Sequence, residues 1–156
     1  MGILSLHTPI GDLTVFDDGG SAIIALDWGW VEGQEPTPLL QEAKRQLDLY
    51  FDGDLTKFDL PLAPHGTAFQ NKVWQEMVKI PAGKTMSYGE IAVRLSSGAR
   101  PVGTACGRNP IPIIIPCHRV VASGGALGGY SGEGGTVTKT SLLALEGAFA
   151  VPTFYE

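Results

Sequence analysis

Cysteine is scarce in this chain of 156 residues, which contains only Cys106 and Cys117. Two cysteines are too few for the disulfide framework of a small secreted protein, and neither belongs to a CxxC pair or to a Cys/His cluster with zinc spacing. Apolar runs are short as well, because none approaches the ~20 residues of a membrane-spanning helix. The first residues lack the basic and apolar regions of a signal peptide. We therefore expect a cytoplasmic protein with free thiols and with no metal, cofactor or membrane partner.

Positive charge is also in short supply overall, since the net charge is −5, but it is unevenly distributed. Residues 1–65 contain three basic and eleven acidic side chains and carry −8. Residues 66–156 contain eight basic side chains and five glutamates, with no aspartate, and carry +3. Only the second segment is suited to lie against phosphates, although a charge of this size is weak evidence for nucleic acid by itself.

The composition, with 44% hydrophobic and 17% charged residues, is typical of a globular protein. Apolar runs of strand length in the first third are separated by turn residues, and they occur at 3–6, 13–16 and 22–26. Thr37 and Pro38 then have the sequence of a helix N-cap and first turn. These patterns predict an N-terminal β-meander with one helix and a linker over residues 1–65, and a second domain over residues 66–156.

The second domain has repeated signals for helix starts. Residues 67–70 and 87–90 each form a capping box, in which a Thr or Ser and a Gln or Glu three residues later satisfy each other's backbone N–H groups. Pro101 presets the backbone for a third short helix that runs to about Cys106 or Gly107. The last two of these helices are a candidate helix-turn-helix, whose second helix would enter the DNA major groove. Such pairs are also common in α-rich domains that bind no DNA.

The most informative stretch is residues 112–119, with the sequence PIIIPCHR. The isoleucines predict a short buried strand bounded by prolines, and this strand leads directly to Cys117, His118 and Arg119. Burial raises the pKa of a thiol, whereas a neighbouring imidazole or the Arg119 cation favours the thiolate, which is a good nucleophile at an alkyl carbon. A single cysteine is more often a small buried hydrophobic residue, and neighbouring side chains in a strand point to opposite faces. The dipeptide alone therefore leaves both interpretations open.

Residues 67–148 resemble, almost end to end, the methylated-DNA–protein-cysteine methyltransferases, also called O6-alkylguanine-DNA alkyltransferases. The matching motifs are GTAFQ at 66–70, VW at 73–74, IP at 80–81, SYGEIA at 87–92, RPVG at 100–103, NP at 109–110, PCHRVV at 116–121, LGGYSG at 127–132, LL at 142–143 and EG at 146–147. The resemblance implies an α/β (α+β) fold. The N-terminal meander and helix would be ribonuclease H-like, and the C-terminal domain would be winged-helix-like, with the helix-turn-helix and the active site.

The same resemblance implies an activity, which is irreversible transfer of an alkyl group from O6-alkylguanine in DNA to Cys117, once per molecule. His118 would act as a base through a water, Glu146 would orient the imidazole, and Asn109 would be a hinge residue that bonds near the active-site turn. Double-stranded DNA containing alkylated guanine would be the partner of a monomeric, at times nucleoid-associated protein. Alkylated thymine as a second substrate and association of several molecules along DNA are left open. Cys106 is expected to be unreactive.

The resemblance also assigns the contacts to the damaged base and to DNA. Tyr88 would meet N3 of a guanine flipped out of the duplex, and the carbonyl groups of Cys117 and Val120 would accept from its amino group. Tyr130 and Ser131 would form a wall of the pocket. The DNA-binding positions are those of the second helix of the pair, where the first named would fill the gap left by the flipped nucleotide: Arg100, Pro101 and Gly103.

Two segments depart from the family pattern, since residues 87–100 are about two residues short and residues 130–139 about two residues long. The first departure concerns the reach of Arg100, and the second concerns the width of the pocket.

Three other classes of protein remain as alternatives. A non-catalytic relative that binds alkylguanine would lack the acceptor cysteine, and a helix-turn-helix regulator would not need Cys117, His118 and Glu146 together. A cysteine hydrolase would require an oxyanion hole, which the sequence does not identify.

Overall fold

Three antiparallel strands open the chain and pair in the order β1-β2-β3. They span Ile3–Thr8 (β1), Gly11–Asp17 (β2) and Ile23–Trp28 (β3). The pairing sets Leu6 opposite Leu13 and Val15 opposite Leu26, and all four side chains are buried. The three apolar runs therefore form the predicted meander, because one face of each strand is withdrawn from water.

Helix α1 (Pro38–Phe51) covers this sheet and packs against β1 and β2. Its N-cap is Thr37, whose hydroxyl accepts from the backbone N–H of Leu40 and donates to the buried carboxylate of Asp17. Asp17 also accepts from the backbone N–H of Gly2, so that one carboxylate connects the chain start, the end of β2 and the start of the helix. The N-cap and proline signals are confirmed at these positions.

The chain divides into two compact units, Met1–His65 and Gly66–Glu156, and the computed structural model describes residues 1–130 and 132–148. The second unit is mainly helical. Its elements are α2 (Ala68–Val78), β4 (Met86–Ser87), α3 (Tyr88–Arg94), α4 (Ala99–Gly107), β5 (Val120–Val121) and α5 (Thr136–Leu145), with 3-10 turns at Cys117–Arg119 and Ser123–Gly125. In the described ranges, no helix has both the length and the apolar character required to cross a bilayer.

Helices α2, α3 and α4 pack on one another, with α4 in contact with both others. Both predicted capping boxes are present, at the starts of α2 and α3. The indole Nε1 of Trp74 donates to the carbonyl oxygen of Ala105 at 2.9 Å and so joins α2 to α4. Helix α4 begins at Ala99, so Pro101 lies inside its first turn rather than at its start. A proline is tolerated there, because the first N–H groups of a helix have no partner within it.

The strand predicted at residues 113–115 is wrong. Ile113 and Ile114 form a tight turn, and Ile113 has a φ of 73°, in the left-handed region that a β-branched residue rarely adopts. Proline precedes and follows the three isoleucines and removes two of the N–H groups that a strand needs for its ladder. The apolar sequence thus predicted burial correctly but the backbone shape incorrectly, because all three isoleucines are buried within the turn.

Candidate active site around Cys117

A cavity of about 340 Å³ lies in the second unit and includes the Cys117 side chain in its wall. The seven residues that line it are Tyr88, Gly103, Cys106, Gly107, Cys117, Gly129 and Tyr130. Cys117 is only 6% exposed, and it is the first residue of a 3-10 turn rather than part of a strand. The turn delivers the thiol to the cavity while the next two side chains extend into the protein interior.

The turn at Ile113, which precedes Cys117, is held by the side chain of Asn109. Its Nδ2 donates to the carbonyl oxygen of Ile115 at 2.8 Å, and its Oδ1 accepts from the backbone N–H of Ile111 at 3.0 Å. One amide side chain therefore clamps both sides of the strained turn at Ile113. The same side chain acts to lower the pKa of the Cys117 thiol. Asn109 thus holds the turn that immediately precedes Cys117.

The Cys117 thiol is in an environment with opposing effects on its acidity. Burial raises its pKa, because the thiolate loses its hydration. Hydrogen bonds from Asn109 and from backbone N–H groups, together with the positive charge of Lys139, act to lower it. The net result is a raised pKa, so the thiol keeps its proton at neutral pH and needs a base to become a nucleophile.

A candidate base follows Cys117 directly in the chain. His118 is fully buried, and its Nε2 is 2.7 Å from Oε2 of Glu146. Burial acts to raise the pKa of Glu146, but hydrogen bonds from His118 and Arg119 lower it to about 2. A carboxylate can only accept, so Nε2 carries the imidazole proton and Nδ1 has the free lone pair. Nδ1 has no partner among the described residues.

Arg119 is part of this pair rather than the cation that the sequence suggested beside the thiol. Its Nε donates to one oxygen of Glu146 and its terminal nitrogen to the other, both at 2.9 Å, and it also donates to the Ile80 carbonyl oxygen. This two-point contact fixes the carboxylate plane. Burial lowers the pKa of His118 even though Glu146 opposes the effect, so the imidazole is neutral and able to take a proton.

The cation that acts on Cys117 is Lys139, which the sequence analysis missed. Its side chain is buried, its Nζ donates to the carbonyl oxygens of Val120 at 2.7 Å and Gly129 at 2.9 Å, and it lies 5.9 Å from the ring centre of Tyr88. Burial lowers its pKa to about 8, while the two cysteines act in the opposite direction. The signal was present, because Lys139 is three and four residues before the buried Leu142 and Leu143 and so shares their helix face.

Two tyrosines, Tyr88 and Tyr130, line the cavity. Tyr88 is the first residue of α3, and burial raises its pKa to about 12. Burial also raises the pKa of Tyr130, so both phenols remain protonated donors. Gly128 has a φ of 72°, and a Cβ there would be 3.2 Å from Tyr88, so glycine permits this close approach. Ser131, the second residue assigned to this wall, lies outside the described residues.

The residues assigned to DNA binding share helix α4. Arg100 and Pro101 are exposed in its first turn, whereas Gly103 lines the cavity. Cys106 also lines the cavity, where its Sγ is 3.4 Å from Sδ of Met77 and burial raises its pKa to about 12. Such a thiol is a poor nucleophile. Within the described ranges, no three side chains of the types that bind metals lie together.

Comparison with known proteins follows the same division of the chain. The ribonuclease-like domain of the 6-O-methylguanine DNA methyltransferase family matches residues 4–64, and the DNA binding domain of that family matches residues 68–148. Methylated-DNA–protein-cysteine methyltransferases are similar over most of the chain. The one from Mycobacterium tuberculosis is 52% identical over 150 residues, covering 91% of this chain and 90% of the relative. The constitutive one from Bacillus subtilis is 41% identical over 152 residues, covering 90% and 92%.

Solved structures are similar in the same way. The crystal structure of the Mycobacterium tuberculosis O6-methylguanine methyltransferase aligns with a TM-score of 0.82 at 40% identity and covers 99% of both chains. A structure from the same organism in complex with DNA aligns with a TM-score of 0.82 at 42% identity, covering 96% of this chain and 97% of the other. The chain therefore belongs to the 6-O-methylguanine DNA methyltransferase family.

Proposed function

We propose that this protein repairs O6-alkylguanine in double-stranded DNA by moving the alkyl group to the sulfur of Cys117, once per molecule. The observation that carries this proposal is a thiol in a cavity wall that is followed directly in the chain by a buried, neutral imidazole hydrogen-bonded to a carboxylate. Direct repair of alkylated DNA is the activity of the family. A non-catalytic relative would lack the acceptor Cys117, and a helix-turn-helix regulator would not need the buried contact between His118 and Glu146 as well.

Proton removal is the first chemical step. Glu146 holds the proton on Nε2 of His118, so Nδ1 is the basic nitrogen, and a water between Nδ1 and the sulfur of Cys117 would relay the proton. As the thiolate forms, Lys139 and the Asn109 amide offset its negative charge. These groups are fixed before the reaction, which lowers the cost of reorganisation in the transition state.

Transfer of the alkyl group is a displacement at carbon. The sulfur–carbon bond forms as the bond between that carbon and O6 breaks, and the electron pair goes to the purine. Tyr88 donates a hydrogen bond to N3 of the base, and the proton that left the thiol returns to the purine. The carbonyl groups of Cys117 and Val120 accept from the exocyclic amino group, and Tyr130 and Ser131 close the pocket. The Val120 carbonyl oxygen has a second lone pair available beside its contact with Lys139.

DNA recognition uses helix α4. Its exposed Arg100 enters the base stack in place of the flipped nucleotide, next to Pro101, and Gly103 lets the same helix continue into the cavity wall. Arg100, the cation that contacts the duplex, thus lies on the same helix as Gly103, which lines the pocket for the extruded base. We place the protein in the cytoplasm, on DNA as a monomer.

The product explains why each molecule acts once. A thioether has no good leaving group under these conditions, so no base in the site can regenerate the thiol. Repair should therefore stop when the amount of repaired guanine equals the amount of protein.

The test is a titration with an oligonucleotide duplex that contains one O6-methylguanine. The repaired fraction should reach one guanine per protein with the wild type and with Cys106→Ser, which is the matched control, and should be zero with Cys117→Ser. Repair beyond one equivalent, or repair by Cys117→Ser, would contradict the proposal.

A further inference from the structure

We propose that Arg108 binds a phosphate of the flipped nucleotide at the mouth of the cavity and so holds that nucleotide outside the duplex. The inference rests on the proposed repair of alkylguanine in DNA and adds a second arginine to it. Arg100 fills the gap that the base leaves, and Arg108 retains the nucleotide that left it.

Arg108 is one of two arginines whose charge is not balanced within the protein. The chain has five arginines. Three of them form ion pairs with glutamates: Arg45 with Glu42, Arg94 with Glu76 and Arg119 with Glu146. Over residues 1–130 and 132–148, no carboxylate pairs with Arg100 or Arg108. Both unpaired guanidinium groups thus belong to α4 and its C-cap, the element that the proposed function places on DNA.

The two arginines lie at opposite ends of one helix face. Arg100, Thr104 and Arg108 are all exposed and follow one another at steps of four residues, so they share a side of α4. Arg100 is in the first turn, and Arg108 is the C-cap. Eight residues of helix span about 12 Å, which is the separation of the two positions along the axis. One face of α4 can therefore contact the duplex at two separate points.

The cavity opens next to Arg108. Gly107 lines the cavity and is also exposed, so the cavity reaches the surface at this residue. A Cβ at Gly107 would meet no atom within 4 Å, so the space around it is open. A flipped base stays joined to its sugar and to two phosphates, and these charged groups remain in water at the mouth while the base is inside. Arg108, the next residue along the chain, is placed to reach one of them.

The charges around the mouth favour an anion. No aspartate or glutamate occurs between Glu90 and Glu133, a stretch that contains all of α4 and the turn of Cys117. A guanidinium can donate two parallel hydrogen bonds to one phosphate, which fixes the position of the phosphate as well as attracting it. An arginine at this end of a helix also offsets the negative end of the helix dipole. The experiment must separate these two roles.

The experiment measures single-turnover repair of duplexes with one O6-methylguanine, at protein concentrations below saturation, so that binding and flipping both affect the rate. The first duplex has only natural phosphates. In two further duplexes the phosphate on the 5′ side or on the 3′ side of the lesion is replaced by an uncharged methylphosphonate.

With the first duplex, Arg108→Gln should be roughly tenfold slower than the wild type, as expected for loss of a hydrogen bond to a charged group. With one of the two methylphosphonate duplexes, the wild type should also become roughly tenfold slower. Arg108→Gln should lose no more than about twofold on that same duplex, because the contact is already absent. A role in the helix dipole alone would give both proteins the same loss.

Two variants serve as controls. Arg108→Lys keeps the charge without the two-point geometry, so its rate on the first duplex should fall between those of the wild type and Arg108→Gln. It should still respond to the methylphosphonate, and it covers the case in which the glutamine variant does not fold. Lys72→Gln removes an exposed charge from α2 and should respond to the methylphosphonate as the wild type does.

The outcomes separate this inference from the proposed function. A wild-type rate for Arg108→Gln on the first duplex overturns the inference. Equal losses of Arg108→Gln and wild type on each methylphosphonate duplex also overturn it, since Arg108 would then contact neither phosphate. Both results leave transfer to Cys117 standing. Failure of the wild type to repair the first duplex overturns the proposed function itself.

Discussion

Glu146 accepts a hydrogen bond from Nε2 of His118 at 2.7 Å across 28 positions of sequence, and this contact determines which imidazole nitrogen can act as a base. Because the carboxylate cannot donate, the proton is held on Nε2 and the lone pair of Nδ1 stays free. Arg119 holds the same carboxylate at both oxygens. Three residues thus define one tautomer beside the acceptor thiol.

Glu146→Gln should lower the rate of alkyl transfer about 10–100-fold, since an amide does not fix the tautomer and no longer balances Arg119. Single-turnover repair assays, with circular dichroism to verify folding, measure this effect. Glu133→Gln, at an exposed position, is the control and should have the wild-type rate. An unchanged rate in Glu146→Gln would show that the contact has only a structural role.

Lys139→Met should raise the pH at which the transfer rate reaches half of its maximum. The charge of Lys139 acts to lower the pKa of Cys117, so removing it makes the thiolate harder to form. The measurement is the pH dependence of the single-turnover rate. Lys72→Met removes an exposed lysine from α2 and should leave the profile unchanged. Identical pH profiles for wild type and Lys139→Met would show that Lys139 does not affect ionisation of the Cys117 thiol.

The same lysine makes stability depend on pH. Burial lowers the pKa of Lys139 from its ordinary 10.5 to about 8. Below about pH 8 the lysine is charged in both the folded and the unfolded chain, and keeping this charge buried lowers the free energy of unfolding. Between those two pKa values only the unfolded chain binds the proton. The free energy of unfolding contributed by Lys139 therefore rises with pH across this window.

Urea unfolding of the wild type and of Lys139→Met at several pH values tests this sign. The wild type should gain stability relative to the variant as the pH rises through the window. The two cysteines titrate in both proteins, and the higher pKa of Cys117 expected in the variant changes the difference in the same direction. A difference that is constant with pH, or that changes in the opposite direction, is incompatible with a lysine that is buried at this position.

Asn109→Asp separates the two hydrogen bonds of the clamp. Aspartate can still accept from the N–H of Ile111 but cannot donate to the carbonyl oxygen of Ile115, which should cost about 1–3 kcal/mol of unfolding free energy. Its negative charge next to Cys117 should also slow transfer. Thermal unfolding and repair rates measure both effects, and Asn71→Asp, on α2, serves as the control. Wild-type stability in Asn109→Asp would mean that the turn is held by other contacts.

Local signals in the sequence predicted most of the elements correctly. The caps at Thr37, Thr67 and Ser87 depend on residues three positions apart, so the sequence contains the whole interaction. The three isoleucines before Pro116 were assigned to a strand because an apolar run records burial and not backbone shape. Neighbouring side chains in a strand point to opposite faces, which counted against Cys117 and His118 acting together. This limit does not apply, because Cys117 begins a 3-10 turn.

The sequence identified more of the residues of the candidate site than of the contacts between them. The family resemblance supplied Cys117, His118 and Glu146, but the partner of Arg119 is 27 positions away in the sequence and could not be deduced from it. Lys139 was missed because a lysine is usually solvated, and only its place on the apolar face of α5 indicates otherwise. Long-range pairing of charges is a property of the packed chain, which local patterns do not record.

The most direct measurement is peptide mass analysis after incubation of the protein with duplex DNA that contains O6-methylguanine. We expect a gain of one methylene mass on the peptide that contains Cys117, and no gain on the peptide that contains Cys106. Repaired DNA with an unmodified Cys117 peptide, or a mass gain on Cys106 in its place, would contradict it.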